Sequence, residues 1–316
     1  MIPMKPHRLF LVLLSAVTCL QLSCSPPDVR IGTGEGEGVK LSYRMLGKGK
    51  PLVVIHDGPG YEKSLLFKGF DGLSSDVRVL YYDQRGCGQS EPLSASTSSL
   101  ISDNVQDLEN LREFFHMRKM SLAAHGWGAV IALEYARTYP KRVDSIILIA
   151  PISPFTPEQE VTSIVDRLPL QAGDAIRRAL SDPYMSVVEK REIAMREMMP
   201  SLFYRREVAK DLDLADLKYS ADVSLRVGEE LKSLDLFPVL GEITQPTLVI
   251  VGRHDISIPV RDQMAYADGI KHASAVVFNE SGHFPFLEEH DFFMNVTREF
   301  LRHKDVPALV EAGRGR

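Results

Sequence analysis

The chain lacks an excess of positive charge, a set of pairable cysteines and any His or Cys cluster with the sequence spacing of a metal site. Its 37 Lys and Arg stand against 42 Asp and Glu, a net charge of −5, so a nucleic-acid-binding surface is not expected. Two of the three cysteines, Cys19 and Cys24, lie in an N-terminal apolar stretch, which leaves Cys87 alone and implies no disulfide framework. His and Cys residues do not show the spacing of a metal site, and no phosphate-binding loop is present. We therefore expect neither a metal nor an organic cofactor.

The sequence also has no apolar run of the length that crosses a membrane. Residues 1–24 combine a positively charged start with an apolar stretch that polar residues interrupt, which is typical of an export signal. Leu20-Gln-Leu-Ser-Cys24 is similar to a bacterial lipoprotein signal, in which Cys24 becomes the lipid-modified first residue, although Gln21 departs from that pattern. An ordinary cleaved signal and an uncleaved anchor are the alternatives. All three interpretations predict an exported protein of the cell envelope. The lipoprotein signal further predicts membrane attachment through a lipid on Cys24.

The rest of the pattern predicts an α/β fold with an inserted helical segment. Residues 25–38 are rich in Pro and Gly and are expected to form a flexible tether. Strand and helix patterns alternate in residues 39–150 and 239–303, which predicts a mostly parallel twisted sheet flanked by helices. Residues 151–238 carry only helical patterns and are expected to form a cap over the strand ends, with a separate helical domain as the alternative. Residues 304–316 are expected to fray as a tail.

One short stretch carries the strongest local signal. An apolar run that begins at Met120 ends abruptly in Ala124-His-Gly-Trp-Gly128, and a helical pattern starts at once. This strand–turn–helix context is typical of a nucleophile elbow, in which a G-x-S-x-G motif lifts a side chain out of the top of a sheet. The position that should carry the nucleophile is Gly126, which has no side chain. Any activity of the chain must therefore do without a nucleophile at this position.

Four further motifs accompany the elbow in a fixed order. They are His56-Asp-Gly-Pro-Gly60, Asp83-Gln-Arg-Gly-Cys-Gly-Gln-Ser90, Gly252-Arg-His-Asp255 and Ser281-Gly-His283-Phe-Pro285. With these motifs, the chain from Val39 to Arg302 resembles the α/β-hydrolase superfamily and, within it, the proline iminopeptidase-like group. The order of elbow, acid and base is the order of that superfamily.

The resemblance implies roles for six positions. Asp255 and His283 are expected to form the acid–base pair of a triad in which Gly126 is the vacant nucleophile position. Backbone N–H groups of Asp57 or Gly58, together with Trp127, are expected to face the developing oxyanion.

Asp57 departs from the group, which has glycine at this position. A carboxylate about 5 Å from an oxyanion would oppose its charge by roughly 3 kcal/mol at an effective dielectric near 20. If the carboxylate points inward, the pocket favours a cation such as a free amino terminus. If it points away, only its backbone matters.

Several functions are compatible with these motifs and the vacant nucleophile position. The first is an iminopeptidase-like protein that binds a small peptide or an amine-bearing molecule and is impaired or inactive for acyl transfer. The second is an active hydrolase in which the His283–Asp255 pair acts on water. The third is a relative of epoxide hydrolases, because His125-x-Trp127-Gly-Ala129 is also similar to that group's elbow, whose nucleophile is Asp. The fourth is a ligand-binding or interaction protein of the cell envelope.

The cap carries acidic residues that could hold a substrate's amine, as acidic cap residues do in iminopeptidases. Spacing does not choose among them, and a solvated helix face is the default for each: Glu189, Glu192, Glu197, Glu207, Glu229 and Glu230.

Overall fold

A computed structural model describes residues 28–34, 37–94, 97, 99–155, 164–212 and 216–306, with side chains from residue 39 onward. The predicted export segment at residues 1–24, with its Cys24, lies outside the described residues, as do residues 307–316 of the predicted tail. Lipid attachment at Cys24 therefore stays a prediction. Among the described helices, none has both the length and the apolar character needed to cross a membrane.

The described strands form one eight-stranded sheet. The strands are β1 (Asp28–Gly34), β2 (Glu37–Leu46), β3 (Pro51–Ile55), β4 (Arg78–Tyr82), β5 (Met120–His125), β6 (Val143–Ile149), β7 (Thr247–Gly252) and β8 (Ala273–Phe278). Their order is β1-β2-β4-β3-β5-β6-β7-β8. The β1–β2 and β2–β4 pairs are antiparallel and the others are parallel. The predicted mostly parallel sheet is thus confirmed.

The helices cover the sheet on both faces and fill the inserted segment. They are α1 (Phe67–Phe70), α2 (Leu100–Phe114), α3 (Gly128–Thr138), α4 (Ile164–Arg167), α5 (Leu170–Ser181), α6 (Val187–Met198), α7 (Arg206–Lys210), α8 (Ala221–Leu231), α9 (Phe237–Leu240), α10 (Val260–Gly269), α11 (Pro285–Glu288) and α12 (His290–His303). Single 3₁₀ turns lie at Lys63–Leu66, Asp71–Ser75, Pro140–Arg142 and Met199–Leu202.

The apolar runs of the central strands explain why both faces are covered. Side chains alternate across a strand, so Val53 and Ile55 of β3 enter one buried cluster, while Leu52 and Val54 enter the other. Helices α2 and α3 contribute to the first cluster, and α12 contributes to the second, for example through Phe293. Such a sheet buries its strands on both sides, as the continuous apolar runs predict.

Two predicted boundaries need correction. The predicted tether at 25–38 contains β1, whose backbone from Asp28 to Ile31 pairs with residues 39–42 of β2, so part of this segment extends the sheet. The predicted tail at 304–316 begins with packed residues. Lys304 forms an ion pair with Asp144 at 2.8 Å, and Val306 is fully buried. Both predictions rested on composition, whereas contacts with residues distant in sequence determine the structure of these segments.

The inserted segment lies against the loops that follow the parallel strands. Its described residues between 151 and 238 form helices and loops and contain no strand. The N–H of Ser220 donates to the carbonyl of Gly60 at 2.8 Å, and the N–H of His283 donates to the carbonyl of Leu202 at 2.8 Å. The cap therefore closes over the carboxyl edge of the sheet, directly above the motif-bearing loops.

Candidate active site

The predicted site residues meet at the carboxyl edge of the sheet. Asp57 follows β3, Gly126 and Trp127 follow β5, and Asp255 follows β7, while His283 lies in the loop after β8. The carboxyl ends of parallel strands share one edge, so residues far apart in sequence come together here. The fold thus assembles the positions that the elbow, acid and base motifs indicate.

Gly126 occupies the sharp turn between β5 and α3. Its φ of +51° is in the left-handed region, which is costly for residues with a side chain. A Cβ atom built on Gly126 would overlap Oδ1 and Cγ of Asp57 and would lie 2.6 Å from Oδ2. The carboxylate of Asp57 therefore fills the space in which the elbow's nucleophilic side chain would begin.

Asp57 contacts both the predicted base and the predicted oxyanion donor. Its Oδ1 accepts a hydrogen bond from the backbone N–H of Trp127 at 2.6 Å. Its Oδ2 lies 2.9 Å from Nε2 of His283. Of the two alternative orientations of Asp57, the outward one is wrong, because the space beside Gly126 accommodates the inward side chain. The predicted oxyanion donor Trp127 consequently binds the protein's own carboxylate.

Asp255 orients His283 from the opposite side of the ring. Nδ1 of His283 lies 2.7 Å from Oδ2 of Asp255, whose side chain is fully buried. The other oxygen of Asp255 accepts hydrogen bonds from the N–H groups of Ser257 and Ile258 at 2.8 and 3.1 Å. Ser257 was not predicted, because a serine two residues after an acid carries no distinctive pattern.

The two carboxylates hold His283 as a cation. Both ring nitrogens face carboxylate oxygens, which accept but do not donate, so both nitrogens carry protons. Burial alone would lower the pKa of His283, but the charge and hydrogen bonds of Asp255 and Asp57 raise it to about 10. Burial alone would raise the pKa of Asp57, but its hydrogen bond to His283 and the nearby imidazole groups lower it to about 2. The three groups together carry one net negative charge.

His125 is a neighbour that the sequence did not mark as functional. Its Nε2 lies 2.7 Å from the carbonyl oxygen of His283, and its Nδ1 is buried without a hydrogen-bond partner. Burial lowers the pKa of His125 to about 4, so the ring is neutral. Asp57, His125 and His283 place possible metal-ligand atoms within 4.8 Å of one another. Sequence spacing could not reveal this grouping, because it joins three separate loops.

A cavity of about 110 Å³ opens beside Asp57 and His283. Its walls are largely apolar and include Met195, Leu202 and Phe284. A second cavity of about 500 Å³ lies under the cap and shares Tyr61, Met195 and Met199 with the first. The site therefore offers a small apolar chamber with one charged wall, next to a larger chamber in the cap.

The cap glutamates differ in what they contact. Glu192 lines the larger cavity. Glu189 caps its own helix through Ser186, and Glu230 accepts the N–H groups of Leu100 and Ile101 at the start of α2. Of the candidates for an amine-binding residue, Glu192 is thus the one that lines either of the two cavities described above.

Comparison with known proteins agrees with the geometry. A family model described as the alpha/beta hydrolase fold matches residues 50–290. The proline iminopeptidase of Heyndrickxia coagulans is 28% identical over 278 residues, covering 84% of this chain and 96% of its own length. The proline iminopeptidase of Saccharolobus solfataricus is 28% identical over 272 residues, covering 82% of this chain and 87% of its own length.

Solved structures share the fold at lower identity. A thermophilic esterase from Thermogutta terrifontis superposes with a TM-score of 0.69 at 22% identity, covering 89% of this chain and all of its own. The enol-lactonase from Burkholderia xenovorans LB400 superposes with a TM-score of 0.68 at 20% identity, covering 88% of this chain and 100% of its own.

The chain therefore belongs to the α/β-hydrolase fold family. Within that family it is a proline iminopeptidase-like protein, as the two loop motifs and the curated relatives together indicate.

Proposed function

We propose that this protein is an iminopeptidase-like hydrolase that is impaired for serine-type acyl transfer and whose pocket accepts a small amine-bearing molecule. The observation that carries the proposal is the carboxylate of Asp57 in the space next to Gly126. Serine-type chemistry needs a hydroxyl nucleophile, a neutral imidazole to take its proton and a free oxyanion site.

The first requirement fails at Gly126, and the carboxylate of Asp57 compromises the other two. Gly126 supplies no hydroxyl, and Asp57 holds His283 in its protonated form, in which the imidazole cannot accept another proton. Asp57 also occupies the N–H of Trp127, which would otherwise bind the oxyanion. Loss of the nucleophile alone costs on the order of 10⁶ in turnover in a serine triad. Peptide and ester cleavage through an acyl-enzyme should therefore be very weak.

The charge of the site supports a cationic ligand group. Asp57 and His283, with Asp255 behind them, together carry one net negative charge beside a largely apolar chamber that Glu62 also lines. A cation close to a partly buried carboxylate gains more from the interaction than it would in bulk water. The related proline iminopeptidases are named for substrates with a free N-terminal proline, and a small peptide or amine fits the same preference.

Turnover assays test the loss of acyl transfer. Proline β-naphthylamide and p-nitrophenyl acetate should show no release of product that depends on His283, so the wild type and His283→Ala should give the same background rate. Clear turnover by the wild type that disappears in His283→Ala would refute the proposed impairment.

Calorimetric titration with L-prolinamide tests the amine preference. Asp57→Asn removes the carboxylate charge and keeps the side-chain shape, so affinity should fall about tenfold or more, equivalent to about 1.4 kcal/mol. Glu299→Gln, an exposed change on α12, is the matched control and should bind like the wild type. Equal affinity in the wild type and Asp57→Asn would contradict the preference.

A further inference from the structure

We infer that Asp57 is itself a nucleophile: its Oδ2 opens an epoxide to form an ester, which water then hydrolyses with His283 as the base. The inference rests on the proposed absence of serine-type acyl transfer, and it does not need the amine preference. Carboxylates form covalent intermediates in several enzyme classes, provided that they are ionised and positioned beside the reacting carbon.

The contacts of Asp57 match this role atom by atom. Oδ1 is held by the N–H of Trp127, which leaves Oδ2 as the attacking oxygen beside His283. The side chain is 14% exposed and lines the small apolar cavity, so a substrate can reach it. The low pKa of Asp57 keeps the carboxylate ionised at neutral pH. Burying a carboxylate, an imidazolium and a second carboxylate is a poor route to stability, and such clusters are typical of functional sites.

Saturated carbon is the electrophile that this arrangement fits. Attack on an ester or amide carbonyl would create an oxyanion on the substrate, but the N–H of Trp127 already binds Oδ1 of Asp57. The same N–H would instead stabilise the oxyanion that forms on Oδ1 when water attacks an Asp57 ester. The donor is thus placed for the second half of an ester mechanism that starts at saturated carbon.

An epoxide is the saturated-carbon electrophile for which the cavity supplies a proton donor. An epoxide oxygen needs a proton, and Tyr61 provides a phenol at the same cavity. Burial raises the pKa of Tyr61, so this phenol is protonated at neutral pH.

The first step conserves atoms and charge. Oδ2 of Asp57 bonds to one epoxide carbon, the bond from that carbon to the ring oxygen breaks, and the ring oxygen takes the phenol proton of Tyr61. Tyr61 regains a proton from the imidazolium of His283 through solvent. The products are a neutral hydroxyalkyl ester of Asp57 and a neutral His283, which is now able to act as a base.

The second step restores the protein. His283 takes a proton from water as the water oxygen bonds to Cγ of Asp57, and the oxyanion forms on Oδ1. The bond between Cγ and Oδ2 breaks, and the diol leaves with Oδ2 after receiving a proton from His283. The new carboxyl group keeps the water oxygen and loses its proton to His283, so the sum is epoxide plus water giving diol. Esterification also removes one of the two charges that keep His283 protonated.

The decisive experiment follows the oxygen atom from water and the ester formed on Asp57. A single turnover of excess wild-type protein with 1,2-epoxyhexane in H₂¹⁸O should leave ¹⁸O in the peptide that contains Asp57 and release mostly unlabelled diol. His283→Gln should accumulate the ester, seen as the added mass of one epoxide on the same peptide. Turnover should fall about 10³-fold or more in Asp57→Asn.

The controls separate this inference from the proposed function. Glu299→Gln should keep wild-type turnover, and circular dichroism confirms that each variant is folded. Label in the diol with none on Asp57 would mean direct attack by water and would overturn the inference, as would the absence of both turnover and adduct in the wild type and His283→Gln. Neither result depends on the peptide and ester assays, whose positive outcome would instead refute the loss of serine-type acyl transfer.

Discussion

Restoring serine at position 126 should fail unless Asp57 is removed at the same time. A serine side chain at this position begins with a Cβ that overlaps Oδ1 and Cγ of Asp57 and lies 2.6 Å from Oδ2. Ordinary carbon–oxygen contacts are at least about 3.4 Å, so the carboxylate must leave its place. The left-handed backbone at Gly126 adds strain of roughly 1–3 kcal/mol for any residue with a side chain.

The expected gain in ester cleavage depends on whether each substitution releases His283 and the N–H of Trp127 from Asp57. Gly126→Ser alone adds a hydroxyl but leaves the carboxylate of Asp57 in competition for His283 and for the N–H of Trp127. We expect it to gain less than about tenfold in ester cleavage and to be less stable than the parent. The double variant Asp57→Gly, Gly126→Ser frees both partners. Because a complete triad with its oxyanion donor is worth on the order of 10⁶, a gain of about 10³ or more is expected.

The assay compares four proteins: the parent, each single variant and the double variant. Initial rates with p-nitrophenyl acetate and proline β-naphthylamide give the coupling between the two positions directly. Asp57→Gly alone has no nucleophile and should stay at background. If Gly126→Ser alone were as active as the double variant, Asp57 would not block the site, and the reasoning from its position would be refuted.

Two further predictions concern stability. The pKa of His283 is raised from 6.5 to about 10, so its contribution to the free energy of unfolding is complete below pH 6.5 and disappears as the pH rises through 10. The free energy of unfolding, measured with urea, should fall by at most about 1.4 kcal/mol per pH unit between pH 6.5 and 10, and Asp57→Asn should reduce this slope. Identical slopes in the parent and in Asp57→Asn would contradict the ion pair. Gly252→Ala places a Cβ against the carbonyl of Gly282, 2.9 Å from its carbon, and should cost roughly 1–3 kcal/mol in thermal unfolding. Gly228→Ala, which meets nothing within 4 Å, is the control and should be neutral or stabilising; equal losses would show that the contact at Gly252 is unimportant.

Much of the fold was predictable because the central strands are buried on both faces. The strand at Ala273–Phe278 lies in a segment predicted to alternate strands and helices, and the helix at Val187–Met198 lies in the segment predicted to be helical. Both have a local signal in the sequence, a mostly apolar run in the strand and a helical pattern in the helix. The strand β1 was missed because its pairing with β2, rather than its composition, determines its structure.

The site was only partly predictable, for a related reason. Motif order identifies the loops that carry Asp255 and His283, but it does not say where a side chain from one loop points. The direction of Asp57 depends on the space beside Gly126, which only the packed structure defines. The hydrogen bonds of Ser257 and His125 to the acid–base pair are likewise products of three-dimensional packing.

The two departures from the iminopeptidase pattern are therefore one structural feature. With serine at position 126, the inward carboxylate of Asp57 would clash; with glycine at position 57, the space beside Gly126 would lack a side chain to contact His283. Together the two residues place a carboxylate beside the vacant nucleophile position, with Oδ1 on the N–H of Trp127 and Oδ2 on the imidazole of His283. The ion pair between Asp57 and His283 carries a desolvation cost, because both charges are taken out of water. The physical cost of this arrangement is the reason to expect that Asp57 takes part in chemistry.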